Sequence, residues 1–141
     1  MRPGQTLAEL LTVLTIIGTL SGIAVPRVKA ARDQAVVRDA ITELVAMLNS
    51  ARAAAQRRDA LAMVTFDTLR AEARVIVERD TLLVRPLGVE FGVTLRASRD
   101  SVVYGPSGRG YGAANTTVVV QRGGVADTIT VSRLGRVRRA R

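Results

Sequence analysis

The chain lacks cysteine, histidine and tryptophan, and has only two tyrosines and two phenylalanines among its 141 residues. Without cysteine there is no disulfide and no thiolate chemistry; without histidine there is no imidazole base and no histidine-centred metal site. Lysine is nearly missing as well: one lysine stands beside twenty arginines, against twelve acids, for a net charge of +9. Such an imbalance follows from a GC-rich genome as readily as from function. Arginine nonetheless keeps its charge at any pH and binds phosphate bidentately, so the location of the excess matters. The acids are dispersed singly, serine and threonine have no histidine base, and no glycine loop precedes a helix in the P-loop pattern. No catalytic residue, metal site or cofactor is expected, and a membrane-anchored enzyme is the least favoured reading.

What the chain does have is a long apolar run between Gly4 and Pro26, reading G-QTLAELLTVLTIIGTLSGIAV-P. No charge occurs from Leu10 to Val25, and with Leu7 and Ala8 counted the run is about nineteen residues, or about 28 Å of helix, close to the thickness of a bilayer core. A secretory signal peptide has a shorter apolar core and then a small-residue cleavage site, whereas this run passes through Pro26 into a further helical pattern. A plain membrane anchor rarely carries an acid where Glu9 lies, because a carboxylate near hydrocarbon costs a few kcal/mol unless it is paired. Glu9 therefore calls for a partner. Gly18 and Gly22 form a G-x-x-x-G pair that allows close helix approach, and Thr12, Thr15, Thr19 and Gly22 make a small, weakly polar stripe; both features are also common in membrane helices at large. The two glycines and Pro26 mark the place where the helix would bend or melt. Arg2 precedes the run while Arg27, Lys29 and Arg32 follow it, so charge alone does not fix its orientation.

From Arg27 to about Arg58 the helical pattern continues. Val37, Ile41, Leu44, Leu48, Ala51 and Ala55 recur at alternating steps of four and three, an apolar stripe suited to a coiled-coil partner or, more simply, to the chain's own sheet. After Asp59 the period becomes alternating. Leu61 to Phe66, Arg74 to Glu78, Thr81 to Arg85 and Glu90 to Arg96 read as strands, with turns at Asp67 to Ala71 and at Arg79-Asp80. Thr116 to Gln121 and Asp127 to Ser132 read as a hairpin across Arg122-Gly123-Gly124. Gly105 to Gly112 reads as a flexible surface loop rather than a phosphate cradle. From Ser101 onward there are seven arginines and the single acid Asp127. The pattern is α+β: a long N-terminal helix, greasy all round in its first half and amphipathic in its second, followed by an antiparallel β-domain.

The N-terminal run resembles the type IV pilin-like superfamily. Its members have a short basic leader ending in glycine, then a residue that is usually Phe or Met, then Thr-Leu, a glutamate at the fifth mature position, an apolar helix and a proline near its end. Here these are Met1 to Gly4, Thr6, Leu7, Glu9 and Pro26, with Gln5 in place of the usual Phe or Met. The segment Ser50 to Arg58, the Val-Thr-Phe-Asp strand at Val64 to Asp67, Tyr-Gly-Pro-x-Gly-Arg at Tyr104 to Arg109 and Ile-Thr-Val-Ser-x-x-Gly-Arg-Val-Arg at Ile129 to Arg138 narrow the likeness to the GspH/FimT group of pseudopilins and minor pilins. The resemblance implies a leader at residues 1–4, cleavage after Gly4 by a prepilin peptidase and N-methylation of Gln5. It further implies a membrane and filament-core helix at 5–26, an amphipathic helix at 27–58 and a β-domain of two packed sheets at 59–141. The implied location is the bacterial inner membrane, single-pass with the C-terminal domain outside the cytoplasm, and then a pilus or pseudopilus. Glu9 would neutralise the N-terminal amine of a neighbouring subunit, with Gly18, Gly22 and Pro26 as further assembly positions.

Two functions follow from this resemblance. One is a structural and assembly role among other pilin or pseudopilin subunits, in a type II secretion pseudopilus serving protein secretion or in a type IV pilus. The other is DNA uptake, in which Arg133, Arg136, Arg138, Arg139 and Arg141, joined by Arg109 and Arg122, grip DNA phosphates in a salt-sensitive, sequence-independent way. That tail has no aromatic residue for base stacking; only Tyr104 and Tyr111 are near in sequence. The structural alternative for the same residues is that Arg136 and Arg138 close the last strand.

Overall fold

In the computed structural model, which describes residues 6–112 and 115–140, the chain divides into two compact units, Met1–Arg32 and Asp33–Arg141. One helix, α1 (Leu7–Arg58), runs from the first into the second. It opens as the residue types dictate: Thr6 sits just before it, and its Oγ1 accepts the Glu9 N–H at 3.3 Å. This satisfies one of the orphan donors of the first turn, and Glu9 adds a negative charge where the helix dipole favours it. Pro26 lies inside α1, so the helix does not end where the sequence suggested that it might bend or melt. A proline removes one intrahelical hydrogen bond, whose acceptor would be the Gly22 carbonyl, and leaves the turns on either side able to continue.

The second unit is built on the apolar stripe of α1. Val37, Ile41, Leu44, Leu48, Ala51 and Ala55 are all fully buried, joined by Ala40, Met47 and Ala54. Burying each of the larger aliphatic side chains is worth roughly 1.5–3 kcal/mol. The stripe therefore packs into one core with the chain's own sheets.

Two four-stranded antiparallel sheets supply that packing. The strands are β1 (Ala62–Asp67), β2 (Glu72–Val77), β3 (Asp80–Arg85), β4 (Thr94–Ala97), β5 (Ser101–Tyr104), β6 (Thr116–Arg122), β7 (Val125–Val131) and β8 (Val137–Ala140). The first sheet has the order β3-β2-β1-β5 and the second β4-β6-β7-β8. Because β4 joins the second sheet, β5 returns to the first and β6 goes back to the second, neither sheet forms from a continuous stretch of chain. Burial alternates along β1, β2, β5 and β6, as expected of strands with one face in a core. The inward faces (Ala62, Val64, Phe66, Val75, Val77, Tyr104 and Leu95, Val118, Val120, Ile129, Val131) join the α1 stripe in one contiguous core.

Three local readings of the sequence are corrected. Glu90 to Arg96 is not one strand: a short helix, α2 (Leu87–Phe91), precedes β4. Pro86 starts it, Gly92 ends it in the left-handed region at φ 62°, and Leu87 buries fully beneath it, while Val93 and Leu95 keep the buried side expected of them. The β2–β3 turn consists of Glu78 and Arg79, with Asp80 already paired to Val77. The basic C-terminus is not a free tail, since Val137–Ala140 is strand β8, paired to β7.

Polar ties hold the outer strands to α1. The Arg85 Nε donates to Glu43 at 2.6 Å, and Arg58 approaches Asp80 at 3.7 Å, so both ends of edge strand β3 are attached to the helix. The hydrogen bond and then the charge of Glu43 raise the Arg85 guanidinium above its ordinary value.

Candidate functional site

The N-terminal half of α1 is the first candidate. Among the described residues Leu7, Leu10, Leu11, Val13, Leu14, Ile16, Ile17, Leu20 and Val25 are all exposed, on every side of the helix. The segment is long and apolar enough to cross a membrane, and none of it is buried in the chain. An apolar surface of that extent marks an interaction with lipid or protein rather than with water. Within it the threonines are self-sufficient: Thr12 Oγ1 donates to the Ala8 carbonyl at 2.8 Å, Thr15 to Leu11 at 2.8 Å and Thr19 to Thr15 at 3.0 Å. Their hydroxyl protons are thus satisfied inside the helix, which lowers the cost of placing them in hydrocarbon. The space over Gly18 and Gly22 is open. Glu9 is exposed and, among the described residues, has no cationic partner. Gly4 and Gln5, the expected processing positions, lie outside the described residues.

The C-terminal arginines form the second candidate, and the structure separates them. Arg139 faces Asp127 on the inward side of the sheet, donating its Nε at 2.6 Å and pairing through its Nη2 as well. Arg138 is paired in register with Thr130 on the outer face, while Arg133 and Arg136 lie in the turn between β7 and β8. That turn is fixed by its backbone: the Ser132 N–H donates to the Arg136 carbonyl at 2.9 Å and the Gly135 N–H to the Ser132 carbonyl at 2.8 Å. Arg133, Arg136 and Arg138 are exposed and free of ion pairs among the described residues. Arg141 lies outside them. A cleft of about 300 Å³ brings Arg133 together with Arg99, Tyr111, Ser101, Ser132 and Thr116. Neither Arg99 nor its place in the same cleft as Arg133 was evident in the sequence, because the two flank β5 and β7, strands of different sheets. Arg122, considered with the tail, belongs elsewhere: its Nε donates to Asp33 at 3.0 Å and its Nη1 bonds the Phe91 carbonyl. Asp33 is only 8% exposed, so this ion pair ties the β6–β7 hairpin to α1 at the start of the second unit.

The two glycine-bearing motifs turn out to be one structural device. Gly105 to Gly112 is a packed loop, not a loose one: the Gly105 N–H donates to the Arg109 carbonyl at 2.9 Å and the Tyr111 N–H to the Val103 carbonyl at 2.8 Å. A Cβ on Gly110 would lie 2.5 Å from the Arg133 carbonyl oxygen, and one on Gly135, where φ is +76°, would lie 2.8 Å from the Tyr104 ring. Only hydrogen fits at these two contacts, so the loop and the C-terminal turn close on each other over Tyr104. The Tyr104 hydroxyl is buried and has no hydrogen-bond partner among the described residues. Burial pushes its pKa up to about 12 from an ordinary 10.0, partly offset by the charge of Arg52.

This geometry predicts an alkaline instability. The unfolded chain ionises its tyrosine near 10 and the folded chain only near 12, so stability is fully present below pH 10 and falls as pH rises between those values. Tyr104→Phe removes a hydroxyl that has no partner among the described residues. We expect unfolding by urea at pH 7 to show it equal to wild type or more stable by about 1 kcal/mol, and its stability to fall less steeply above pH 10.

No protein-family model and no curated protein matches the chain. Among solved structures, two crystal structures of the type IV minor pilin FimU from Pseudomonas aeruginosa are similar. One has a TM-score of 0.60 at 16% identity, covering 74% of this chain and 92% of that one. The other has a TM-score of 0.63 at 15% identity, covering 77% and 91%. At that identity the likeness concerns architecture, and the long N-terminal helix with its two antiparallel sheets is the type IV pilin-like fold.

Proposed function

We propose that the chain is a minor pilin or pseudopilin, a structural subunit that assembles with other pilin-like subunits into a type IV pilus or a type II secretion pseudopilus. The observation that carries this reading is the exposed apolar half of α1 headed by Glu9 and borne by a pilin-like fold. In this reading residues 1–4 form a leader removed after Gly4 by a prepilin peptidase, and Gln5 becomes the methylated N-terminus. The 5–26 segment is held in the inner membrane before assembly and in the filament core afterwards. Glu9 then meets the N-terminal amine of a neighbouring subunit, where a paired carboxylate is tolerated and an unpaired one is not. Gly18 and Gly22 permit close contact between helices. Replacing Glu9 with Ala should sharply reduce recovery of the protein in sheared filaments while leaving its level in the membrane fraction unchanged; normal incorporation would contradict the pairing.

A second reading, DNA binding in the course of uptake, is favoured by one specific observation, the convergence of Arg99, Arg133 and the exposed Tyr111 on one cleft, with Arg136 and Arg138 nearby in sequence. Three phosphate contacts by Arg133, Arg136 and Arg138 would give a slope of about −3 for log affinity against log salt on duplex DNA. Replacing any one of them with Ala should reduce that slope by about one, whereas Arg139→Ala, which removes an arginine already paired to Asp127, should change it less. Salt-independent binding, or none, would remove this reading.

A further inference from the structure

Strand β8 ends the second sheet, and among the described residues no strand pairs with its other side. A row of backbone N–H and C=O groups is therefore available there for one more strand. Beside it lies a groove of about 760 Å³ lined by Gln34 and Arg38 of α1, Asp127 and Thr128 of β7, and Arg139 and Ala140 of β8. Its acid is already engaged: Asp127 Oδ1 accepts the Thr128 N–H at 2.7 Å, and Oδ2 takes the Arg139 guanidinium. Arg38 is exposed and has no ion pair among the described residues. The groove thus offers an uncompensated positive charge next to a free strand edge, with no unpaired carboxylate among its lining residues to repel another.

The charge pattern also decides what can occupy the edge. Pairing β8 with β8 of a second copy would bring the unpaired Arg138 of both chains close together, and like charges facing each other across strands are destabilising. The net charge of +9 opposes self-association in the same sense. The occupant must therefore differ from this chain and bring acids.

We propose that the β8 edge and the Arg38 groove receive an extended acidic segment of an unlike neighbouring subunit, which adds a strand to the second sheet and sets a carboxylate against Arg38. Main-chain bonds supply affinity in such an addition, and the carboxylate fixes the register. The inference rests on reading the chain as a subunit with unlike neighbours, but its test needs no filament.

The test uses the full chain in detergent micelles and a fluorescein-labelled peptide of alternating glutamate and valine, with anisotropy reporting binding and amide hydrogen exchange reporting its place. We expect binding with slowed exchange in Val137–Ala140, a weakening of about tenfold or more for Arg38→Glu, most of the affinity kept by Arg38→Lys, and no binding of a lysine–valine peptide. Absence of binding, or binding that Arg38→Glu leaves unchanged, would overturn the proposal. So would unaltered exchange in β8, which would mark general attraction to a polyanion, or the same protection and Arg38 dependence produced by duplex DNA. Because the readout is on purified protein, failure here leaves the Glu9→Ala result untouched, and failure there leaves this one.

Discussion

The stripe running from Val37 to Ala55 is buried in the single core that residues of both sheets share, and the rest of the globular unit depends on it. Neither sheet could stand alone, since each has a single apolar face of short strands. The helix stripe and both sheet faces contribute to one core, and the chain crosses between sheets at β4, β5 and β6, so neither sheet is completed by a continuous stretch of chain. The polar ties Arg85–Glu43 and Arg122–Asp33 then set where β3 and the β6–β7 hairpin sit along the helix. Their value is geometric, because partly exposed ion pairs contribute little net stability.

The same helix meets an opposite requirement in its first half. There every side of the cylinder is apolar and uncovered, and the threonine hydroxyls turn back onto their own backbone. A helix of that kind is at ease in hydrocarbon or among other apolar helices and out of place in water. The proposed assembly role uses both environments in turn, and Glu9 is the residue that distinguishes them, since only a neighbouring cation makes its burial favourable.

Much of this was legible in the sequence because it depends on periodicity. The six positions of the helical stripe, the β1, β2 and β6–β7 strands, and the charge-free run before Pro26 are all pattern, and pattern survives without coordinates. What was not legible depends on contacts between distant residues. The Asp33–Arg122 pair spans the chain from α1 to the β6–β7 turn, and Arg99 and Arg133, far apart in sequence, line one cleft. The glycines of Gly105 to Gly112 looked like looseness, yet Gly110 and Gly135 are there because a Cβ would collide with the Arg133 carbonyl and the Tyr104 ring. The sequence reading starts a strand at Glu90 because alternation at Val93 and Leu95 is genuine, while the Pro86 and Gly92 signals that bound a single helical turn over Leu87–Phe91 are local.

The central claim is that the apolar half of α1 is a retained, processed filament helix rather than a removed signal or an unprocessed anchor. The most direct measurement is mass spectrometry of the N-terminal peptide of the protein isolated from its native membrane. The account predicts a mature chain that begins at Gln5 and carries a methyl group on its amine. A chain that still begins at Met1, or one cut on the far side of the apolar run beyond Val25, would contradict it.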